Sequence, residues 1–150
     1  MYDTIFEDIR DKVYRNDDKM PKIPISLFGV LVLTVVSKAT ECNCDMSIYE
    51  VGHEVGKYIS PKNNDELKTV FKNLGLGDLT FEDGNILKVE NNPIAKMVKS
   101  EEPVNYFTSG FLAGALESIY SKKIAVKETK CMAQGFDACY FEIISTEEVE

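Results

Sequence analysis

The sequence has 150 residues, which fits one domain and leaves no room for two of ordinary size. Hydrophobic residues make up 44% and charged residues 28%, close to the globular average, so disordered, collagen-like and coiled-coil classes are excluded for most of the chain. The 17 lysines and arginines do not cluster and are outnumbered by 25 acidic residues, which gives a net charge of -8. This charge disfavours a nucleic acid or an anionic membrane as the main partner.

The cysteine content and the apolar segments predict the compartment. Four cysteines are too few for a disulfide scaffold. Met1–Asp18 is charged throughout, so we expect no signal peptide. The longest apolar run, Ile25–Val36, is shorter than the roughly 20 residues that cross a membrane. The sequence therefore predicts a soluble, cytoplasmic protein in a reducing compartment, with no membrane span.

The N-terminal third is predicted to be helical. Tyr2–Tyr14 carries apolar residues at helical spacing. The segment from Ile25 to about Thr40 is the most apolar of the chain. Its length favours a helix, whereas its valines favour a strand, and we predict a buried helix.

Two further helices are predicted from capping residues. Ser47–Glu50 has the form of a capping box and predicts a helix that runs to about Ser60. Asn64 or Asp65 is predicted to cap the next helix, which ends at Gly75 because glycine readily adopts the backbone conformation that terminates a helix.

The C-terminal half alternates between strand and helix signals. The predicted elements are a hairpin of Leu79–Glu82 and Ile86–Val89 joined by Asp83-Gly84-Asn85, a loop at Asn91–Pro93, a helix from Pro103 to about Tyr120, and strands at Ile124–Cys131 and Ala138–Ile144 joined by a turn at Ala133–Asp137. Together the elements predict an α/β fold of the α+β type, with helices packed on an antiparallel sheet in a single domain over residues 1–150.

Paired glycines mark two of the predicted helices. Gly52 and Gly56 are four residues apart on one helix face, as are Gly110 and Gly114 on another. Each glycine costs a helix about 1 kcal/mol relative to alanine, so a compensating close approach of another backbone is expected. That contact forms either within the chain or across a two-fold axis, and we predict a dimer in solution.

Catalytic signals are weak. His53 is the only histidine, so it is the only possible imidazole base, and a partly exposed helical histidine is the simpler interpretation. Cys42 and Cys44 are separated by one residue, a spacing less suited to one tetrahedral ion than two to four residues. Neither feature predicts an active site.

A stronger signal for metal binding lies near the C-terminus. Cys131 and Cys139 flank a turn, and with Glu128 they offer two thiolates and a carboxylate, a set suited to zinc. Glu128 and Cys131 would face opposite sides of a regular strand, so both reach one ion only if the strand ends or bulges between them. Two structural thiols, or a disulfide disfavoured by a reducing compartment, are the alternatives.

Three segments together resemble the 4-vinyl reductase domain family. They are VNYFTSGFLAG at 104–114, IAVKETKC at 124–131 and GFDACYF at 135–141, within a C-terminal signature over 103–144; IYEVGHEVG at 48–56 also matches the family's paired-glycine helix. The chain is similar to the archaeal branch of predicted hydrocarbon-binding proteins. The resemblance implies the fold shared by haem-nitric-oxide-binding domains and by the subunits of the vesicle-tethering transport particle of the Golgi.

The resemblance also implies a zinc ion beside a small hydrophobic pocket. The family's zinc ligands fall on Glu128, Cys131 and Cys139 of this sequence. The fourth ligand falls on Asn105, where the phenol-sensing members carry cysteine. Water, a substrate group or another side chain could fill that position; the other side chains that we considered are His53, Cys42 and Cys44. The phenol-sensing residues themselves have no counterpart here.

The resemblance implies a binding module rather than an enzyme. No dinucleotide fingerprint, flavin motif or c-type haem site supports a reductase. We expect a homodimeric domain that binds or senses a small hydrophobic molecule, with a structural zinc ion and no catalytic residues. The pocket is expected between the Ile25–Val36 segment, the helix from Pro103 and apolar strand residues. A protein-interaction adaptor like the transport-particle subunits, or a zinc enzyme, are the alternative functions.

Overall fold

The computed structural model describes residues 11, 13–15 and 45–145, whose strands form one antiparallel sheet. The four strands are β1 (Asp78–Phe81), β2 (Ile86–Glu90), β3 (Ile124–Lys130) and β4 (Cys139–Ser145). Their order across the sheet is β1-β2-β4-β3, and every neighbouring pair is antiparallel. β4 therefore lies inside the sheet, whereas β3 is an edge strand among the described residues.

The predicted hairpin is confirmed. Leu79 pairs with Val89, and the connecting turn contains Gly84 at a φ of 75°, a conformation that glycine adopts without steric cost. Leu87 and Val89 of β2 and Phe141 of β4 are fully buried. The residues before and after each of them along the same strand are half-buried or exposed. One face of the sheet thus lines the hydrophobic core, as the predicted α+β class requires.

Two long helices cover the core. α1 (Asp45–Ile59) packs against α4 (Tyr106–Tyr120), in which every residue from Thr108 to Leu116 is buried. A Cβ atom at Gly52 would collide with the carbonyl oxygen of Phe107, and one at Gly110 with that of Tyr49. The expected close approach therefore forms within the chain, so the glycine pairs no longer argue for a dimer.

Two of the predicted helix starts are wrong. The structure has α1 beginning at Asp45, so Ser47 lies inside the helix and is not its cap. α2 (Asn64–Asn73) is capped by Asn63, whose side chain accepts a hydrogen bond of 2.9 Å from the backbone N–H of Glu66. In both cases several polar residues near the start could serve as caps, and their order alone does not select one.

A short helix replaces part of the predicted loop. α3 (Pro93–Met97) follows Asn92, whose buried side chain accepts a bond of 3.0 Å from the N–H of Ala95 and donates one of 3.0 Å to the carbonyl of Leu76. Asparagine before proline is a helix-start signal as well as a turn signal. The tertiary contact with Leu76 favours the helix here.

The predicted C-terminal elements are confirmed, with small shifts. α4 starts at Tyr106, after Pro103, and a 3₁₀ helix (Met132–Gln134) fills the predicted turn between β3 and β4. The pairing of β3 with β4 shifts between Glu128, opposite Phe141, and Lys130, opposite Tyr140. This irregularity is the bulge that the proposed metal site needs.

Several sequence predictions fall on residues that the structure does not describe. The predicted helix at 25–40 lies outside the described residues, as do Cys42 and Cys44. Of the predicted N-terminal helix, residues 11 and 13–15 are described and helical, and Tyr14 donates a hydrogen bond to the carbonyl of Ile59. Among the described helices, none has the length and apolarity needed to cross a membrane.

Candidate metal centre

The three residues predicted to bind metal converge in the structure. One ligand atom each from Glu128, Cys131 and Cys139 lies within 4.8 Å of the others. Both cysteines are fully buried and Glu128 is 6% exposed. The bulge adds one residue to β3 between Glu128 and Lys130, so Glu128 and Cys131 face the same side despite their spacing of three.

Local hydrogen bonds fix the two cysteines. The N–H of Cys131 donates a bond of 3.0 Å to the side chain of Gln134, which holds the 3₁₀ helix against the end of β3. Cys139 is the first residue of β4 and pairs with Val89 of β2. The N–H of Met132 points at the Sγ atom of Cys139 at 3.5 Å. The backbone therefore positions both sulfur atoms before any ion binds.

Asn105 brings the start of α4 to the same cluster. Glu128 Oε1 accepts bonds of 3.0 and 3.2 Å from the N–H groups of Val104 and Asn105, and its Oε2 accepts one of 2.6 Å from Asn105 Nδ2. The same Nδ2 lies 3.3 Å from Cys139 Sγ and 3.8 Å from Cys131 Sγ. Asn105 is 1% exposed, and its Oδ1 atom has no hydrogen-bond partner among the described residues.

Burial and hydrogen bonding set the protonation of this cluster in the metal-free chain. Burial raises the pKa of Glu128 to about 7, against the bonds from Asn105 that lower it. A hydrogen bond from Cys139 lowers the pKa of Cys131, and the same bond raises the pKa of Cys139. Without a metal ion, the thiol of Cys139 stays protonated. The carboxyl group of Glu128 is protonated below neutral pH.

The donor set fits a zinc ion. Two thiols and a carboxyl group at mutual contact provide borderline-soft ligands of the kinds that zinc prefers. Three buried acidic groups cannot all ionise without a compensating charge, and a divalent cation supplies it. The cluster also leaves one buried oxygen, Asn105 Oδ1, without a partner. The residues present therefore have the chemistry of a metal site.

An apolar groove adjoins the cluster along β3. Its volume is about 390 Å³, and its described lining comprises Tyr49, Pro103, Asn105, Tyr106, Ser109, Ala125, Val126, Lys127, Glu128 and Ile144. Asn105 and Glu128 thus belong to both the groove and the cluster. The predicted pocket walls from α4 and the strands are present, whereas the Ile25–Val36 segment lies outside the described residues.

Tyr49 of α1 is a groove residue that the sequence did not suggest. Its hydroxyl accepts a bond of 3.2 Å from the N–H of Val126 on β3. Burial raises the pKa of Tyr49, so the hydroxyl stays protonated and keeps a proton to donate. The contact joins residues 77 positions apart, and local sequence patterns carry no signal for it.

His53, a candidate fourth ligand, lies elsewhere. Its Nε2 atom is 3.0 Å from Glu117 Oε2 on α4, and its side chain is 22% exposed. The other carboxylate oxygen of Glu117 accepts a bond of 3.1 Å from the N–H of Ile124 at the start of β3. The structure therefore places His53 in an interhelical pair and does not bring it to the cluster.

Comparisons with known proteins agree with these features. The family model of the 4-vinyl reductase domain, abbreviated V-4-R, matches residues 85–145. The uncharacterized protein MJ1460 of the archaeon Methanocaldococcus jannaschii is 40% identical over 97% of this chain and 95% of its own length. MJ0745 of the same organism is 41% identical over 88% of this chain and 75% of its own length. The chain therefore belongs to the 4-vinyl reductase domain family, which confirms the predicted family.

Solved structures support the same assignment. The crystal structure of a vinyl-4-reductase family protein from Methanocaldococcus jannaschii matches with a TM-score of 0.78 and 35% identity, over 95% of this chain and 96% of that one. The phenol-responsive sensory domain of the transcription activator PoxR, solved with phenol, gives 0.67 and 14% over 87% and 79%. Trafficking protein particle complex subunit 3 of Naegleria fowleri, covalently bound to palmitic acid, gives 0.62 and 14% over 84% and 97%. The last two likenesses confirm the predicted fold.

Proposed function

We propose that this domain binds or senses a small apolar molecule in the groove along β3, and that a structural zinc ion stabilises one wall of that groove. Glu128, Cys131 and Cys139 would hold the ion. The observation that carries the proposal is the position of Asn105 and Glu128, which line the groove and also contact the cluster. An occupant of the groove would therefore touch residues whose positions the metal fixes.

The surroundings of the cluster support a structural role for the proposed metal. Both sulfur donors are fully buried, so they are inaccessible to a substrate, and buried thiolates are committed to coordination. When bound, the ion would supply a cross-link between the end of β3, the start of β4 and, through Glu128, the start of α4. The carboxylate of Glu128 already accepts two backbone N–H groups at that helix start.

The lining of the groove supports an apolar ligand. Tyr106, Ala125, Val126 and Ile144 present mainly carbon to it, and few polar groups interrupt them. A volume of about 390 Å³ is within the range of roughly 300–1,000 Å³ typical of small-molecule sites. The phenol in the PoxR sensory domain and the palmitic acid on the trafficking subunit belong to those proteins, and they favour an apolar ligand here as well.

Metal analysis tests the zinc site. Protein purified without chelator is expected to contain about one zinc per chain by mass spectrometry of the metal, and the double variant C131S/C139S is expected to contain none. C42S/C44S removes the other two cysteines and is expected to keep the ion if Cys131 and Cys139 are its thiolate ligands. Full zinc content in C131S/C139S would exclude these ligands.

Fluorescence titration with 1-anilinonaphthalene-8-sulfonate, an apolar probe, tests the groove. The variant A125W fills the groove with an indole ring and is expected to weaken probe binding at least tenfold. T80W adds the same side chain at an exposed position of β1 and should leave binding unchanged. Equal binding by A125W and wild type would exclude the groove, and the adaptor function would then be preferred.

The homodimer stays a prediction. The glycine faces that first suggested it are occupied by the contact between α1 and α4 within the chain. Sedimentation equilibrium at micromolar concentration measures the assembly directly. A mass of two chains would support a dimer built on another surface, and a mass of one chain would exclude it.

A further inference from the structure

The hydroxyl group of Tyr49 lies at the wall of the groove. Tyr49 of α1 lines the groove together with Ala125 and Val126 of β3. Its oxygen accepts a hydrogen bond of 3.2 Å from the backbone N–H of Val126. Because this bond joins α1 to β3, both elements fix the position of the hydroxyl beside the apolar lining.

The proton of this hydroxyl has no acceptor among the described residues. A phenolic hydroxyl both accepts and donates hydrogen bonds, and the bond with Val126 uses it only as an acceptor. The charge of Glu117 acts on Tyr49, but the two carboxylate oxygens of Glu117 are engaged with His53 and with the N–H of Ile124. Burial raises the pKa of Tyr49, so the proton stays on the oxygen at neutral pH and is left to be donated.

The carboxylate that lines the groove is already committed to other donors. Glu128 Oε1 accepts bonds from the N–H groups of Val104 and Asn105, and its Oε2 accepts one of 2.6 Å from Asn105 Nδ2. A donor group of a ligand would therefore be buried beside oxygens that are already bonded, and burying an unpaired polar group is costly. The groove thus favours a ligand whose polar atom accepts a hydrogen bond over one whose polar atom donates.

We infer that the molecule bound in the groove carries a hydrogen-bond-accepting oxygen on an apolar frame, as ketones, aldehydes and esters do, and that the Tyr49 hydroxyl donates to this oxygen. This inference rests on the groove proposed above and specifies the chemical class of its ligand. Tyr49 is then a specificity-determining residue. The bond that it accepts fixes its ring against β3, and the bond that it donates selects the ligand.

Two probes of nearly the same shape test the inference. Acetophenone carries a carbonyl oxygen, and α-methylstyrene has a methylene group in its place. Each probe is titrated against wild type and Y49F by displacement of 1-anilinonaphthalene-8-sulfonate. Y49F is expected to bind acetophenone about three- to tenfold more weakly than wild type does, the range of one neutral hydrogen bond, and to bind α-methylstyrene equally well. Equal losses for both probes would indicate a purely structural hydroxyl and would overturn the inference, as would no loss for either.

Infrared spectroscopy of the bound ketone identifies the donor. The carbonyl stretch of acetophenone moves to lower wavenumber when its oxygen accepts a hydrogen bond. We expect this shift, relative to a hydrocarbon solvent, for acetophenone bound to wild type, and its loss in Y49F. S109A removes another hydroxyl from the lining, and loss of the shift in S109A instead would make Ser109 the donor and overturn the inference. An unshifted band in wild type contradicts the inference by itself, so the test stands even if Y49F fails to fold.

Y120F is the matched control. The hydroxyl of Tyr120 also bonds to another element, donating to Asn64 Oδ1 at the start of α2, but Tyr120 is not part of the described lining of the groove. Y120F should bind both probes as wild type does. A selective loss of acetophenone in Y120F would mean that the effect of Y49F is not specific to the groove, and the inference would be abandoned.

The same titrations separate this inference from the proposed function. Wild-type protein that binds neither probe would exclude the apolar site and with it the role of Tyr49. Wild-type protein that binds both probes, with affinities that Y49F leaves unchanged, would exclude only the role of Tyr49 and leave the groove as the binding site.

Discussion

Glu128 combines a buried position with a proton that it releases near neutral pH. In the metal-free chain, burial raises its pKa from 4.5 to about 7. The folded state therefore favours the protonated carboxyl, which contributes stability below pH 4.5 and loses that contribution as the pH rises through 7. Zinc binding requires the carboxylate, so metal and proton compete for the same oxygen atoms.

This competition predicts a pH dependence of stability. Between about pH 5.5 and 7.5 we expect the free energy of unfolding of zinc-stripped protein to fall by about 2 kcal/mol relative to E128Q, at about 1.36 kcal/mol for each pKa unit. Urea unfolding of both proteins at each pH measures the difference. E128Q keeps both thiols and the shape of the side chain but lacks the titrating carboxyl group. A constant difference would contradict the raised pKa.

A substitution at position 105 is predicted to change the affinity of the protein for zinc. A cysteine there would place a third thiolate beside the donors that Asn105 Nδ2 contacts, and thiolate is a strong zinc ligand. We expect N105C to bind zinc at least tenfold more tightly than wild type in competition with a chromophoric chelator. Equal affinity would mean that this side chain does not reach the ion.

Individual residues were predictable where the contact is local. Glu128, Cys131 and Cys139 lie on one hairpin, so their spacing indicated the cluster and also the bulge that it requires. Asn105 entered only through the family resemblance. The contacts of Tyr49 with Val126 and of His53 with Glu117 depend on how α1 meets α4 and β3, which residue spacing does not encode.

At the scale of the elements, the contact between α1 and α4 leaves the least room for an added side chain. The helices meet through glycines, and a Cβ atom at Gly110 would overlap the carbonyl of Tyr49. The helices could accommodate it only by moving apart, which would loosen a core formed by residues such as Phe111 and Leu112.

This packing predicts that G110A is destabilised even though alanine favours helices. We expect a net loss of about 2–4 kcal/mol in the free energy of unfolding, because overpacking against a backbone exceeds the gain of about 1 kcal/mol in helix propensity. Urea unfolding measures it. G84N is the control: Gly84 has open space around it, and asparagine tolerates its positive φ. A stabilised G110A would contradict the close packing.

The elements themselves were mostly predictable. The hairpin around Gly84, the long helix α4 and the two C-terminal strands follow from turn chemistry and apolar periodicity. Helix starts were less predictable, since the order of polar residues near α1 and α2 leaves several caps open. The short α3 depends on the bond from Asn92 to Leu76, a contact between separate segments.

For the whole molecule, the cluster lies where the end of β3, the start of β4 and the start of α4 meet. An ion there would bind the folded chain far more tightly than the unfolded one, which lacks a preformed site. Its loss should therefore affect the stability of the entire domain.

We predict that chelation lowers the Tm of the purified protein, and that restoring zinc reverses the effect. Differential scanning calorimetry with and without a chelator measures the shift, which grows with free zinc concentration. C131S/C139S should melt at one temperature in both conditions. An unchanged wild-type Tm would contradict a structural metal.

The fold class was predictable because the C-terminal motifs resemble a known family, and the comparisons confirm both. The groove was only partly predictable, since its walls come from α1, α4 and β3 together. The assembly stays a prediction, because a glycine pair supports contact within a chain as well as between chains.

Within the part of the chain that the structure describes, β3 is an edge strand, which has a consequence for solubility at high concentration. Unpaired N–H groups on an edge strand invite pairing with the edge of another molecule, which leads to aggregation. Here the N–H of Val126 is bonded to the Tyr49 hydroxyl and that of Ile124 to the Glu117 carboxylate. Side chains from two helices thus occupy donors that a foreign strand would use. The Tyr49 hydroxyl, on a residue that also lines the groove, therefore blocks one position at which another strand would pair.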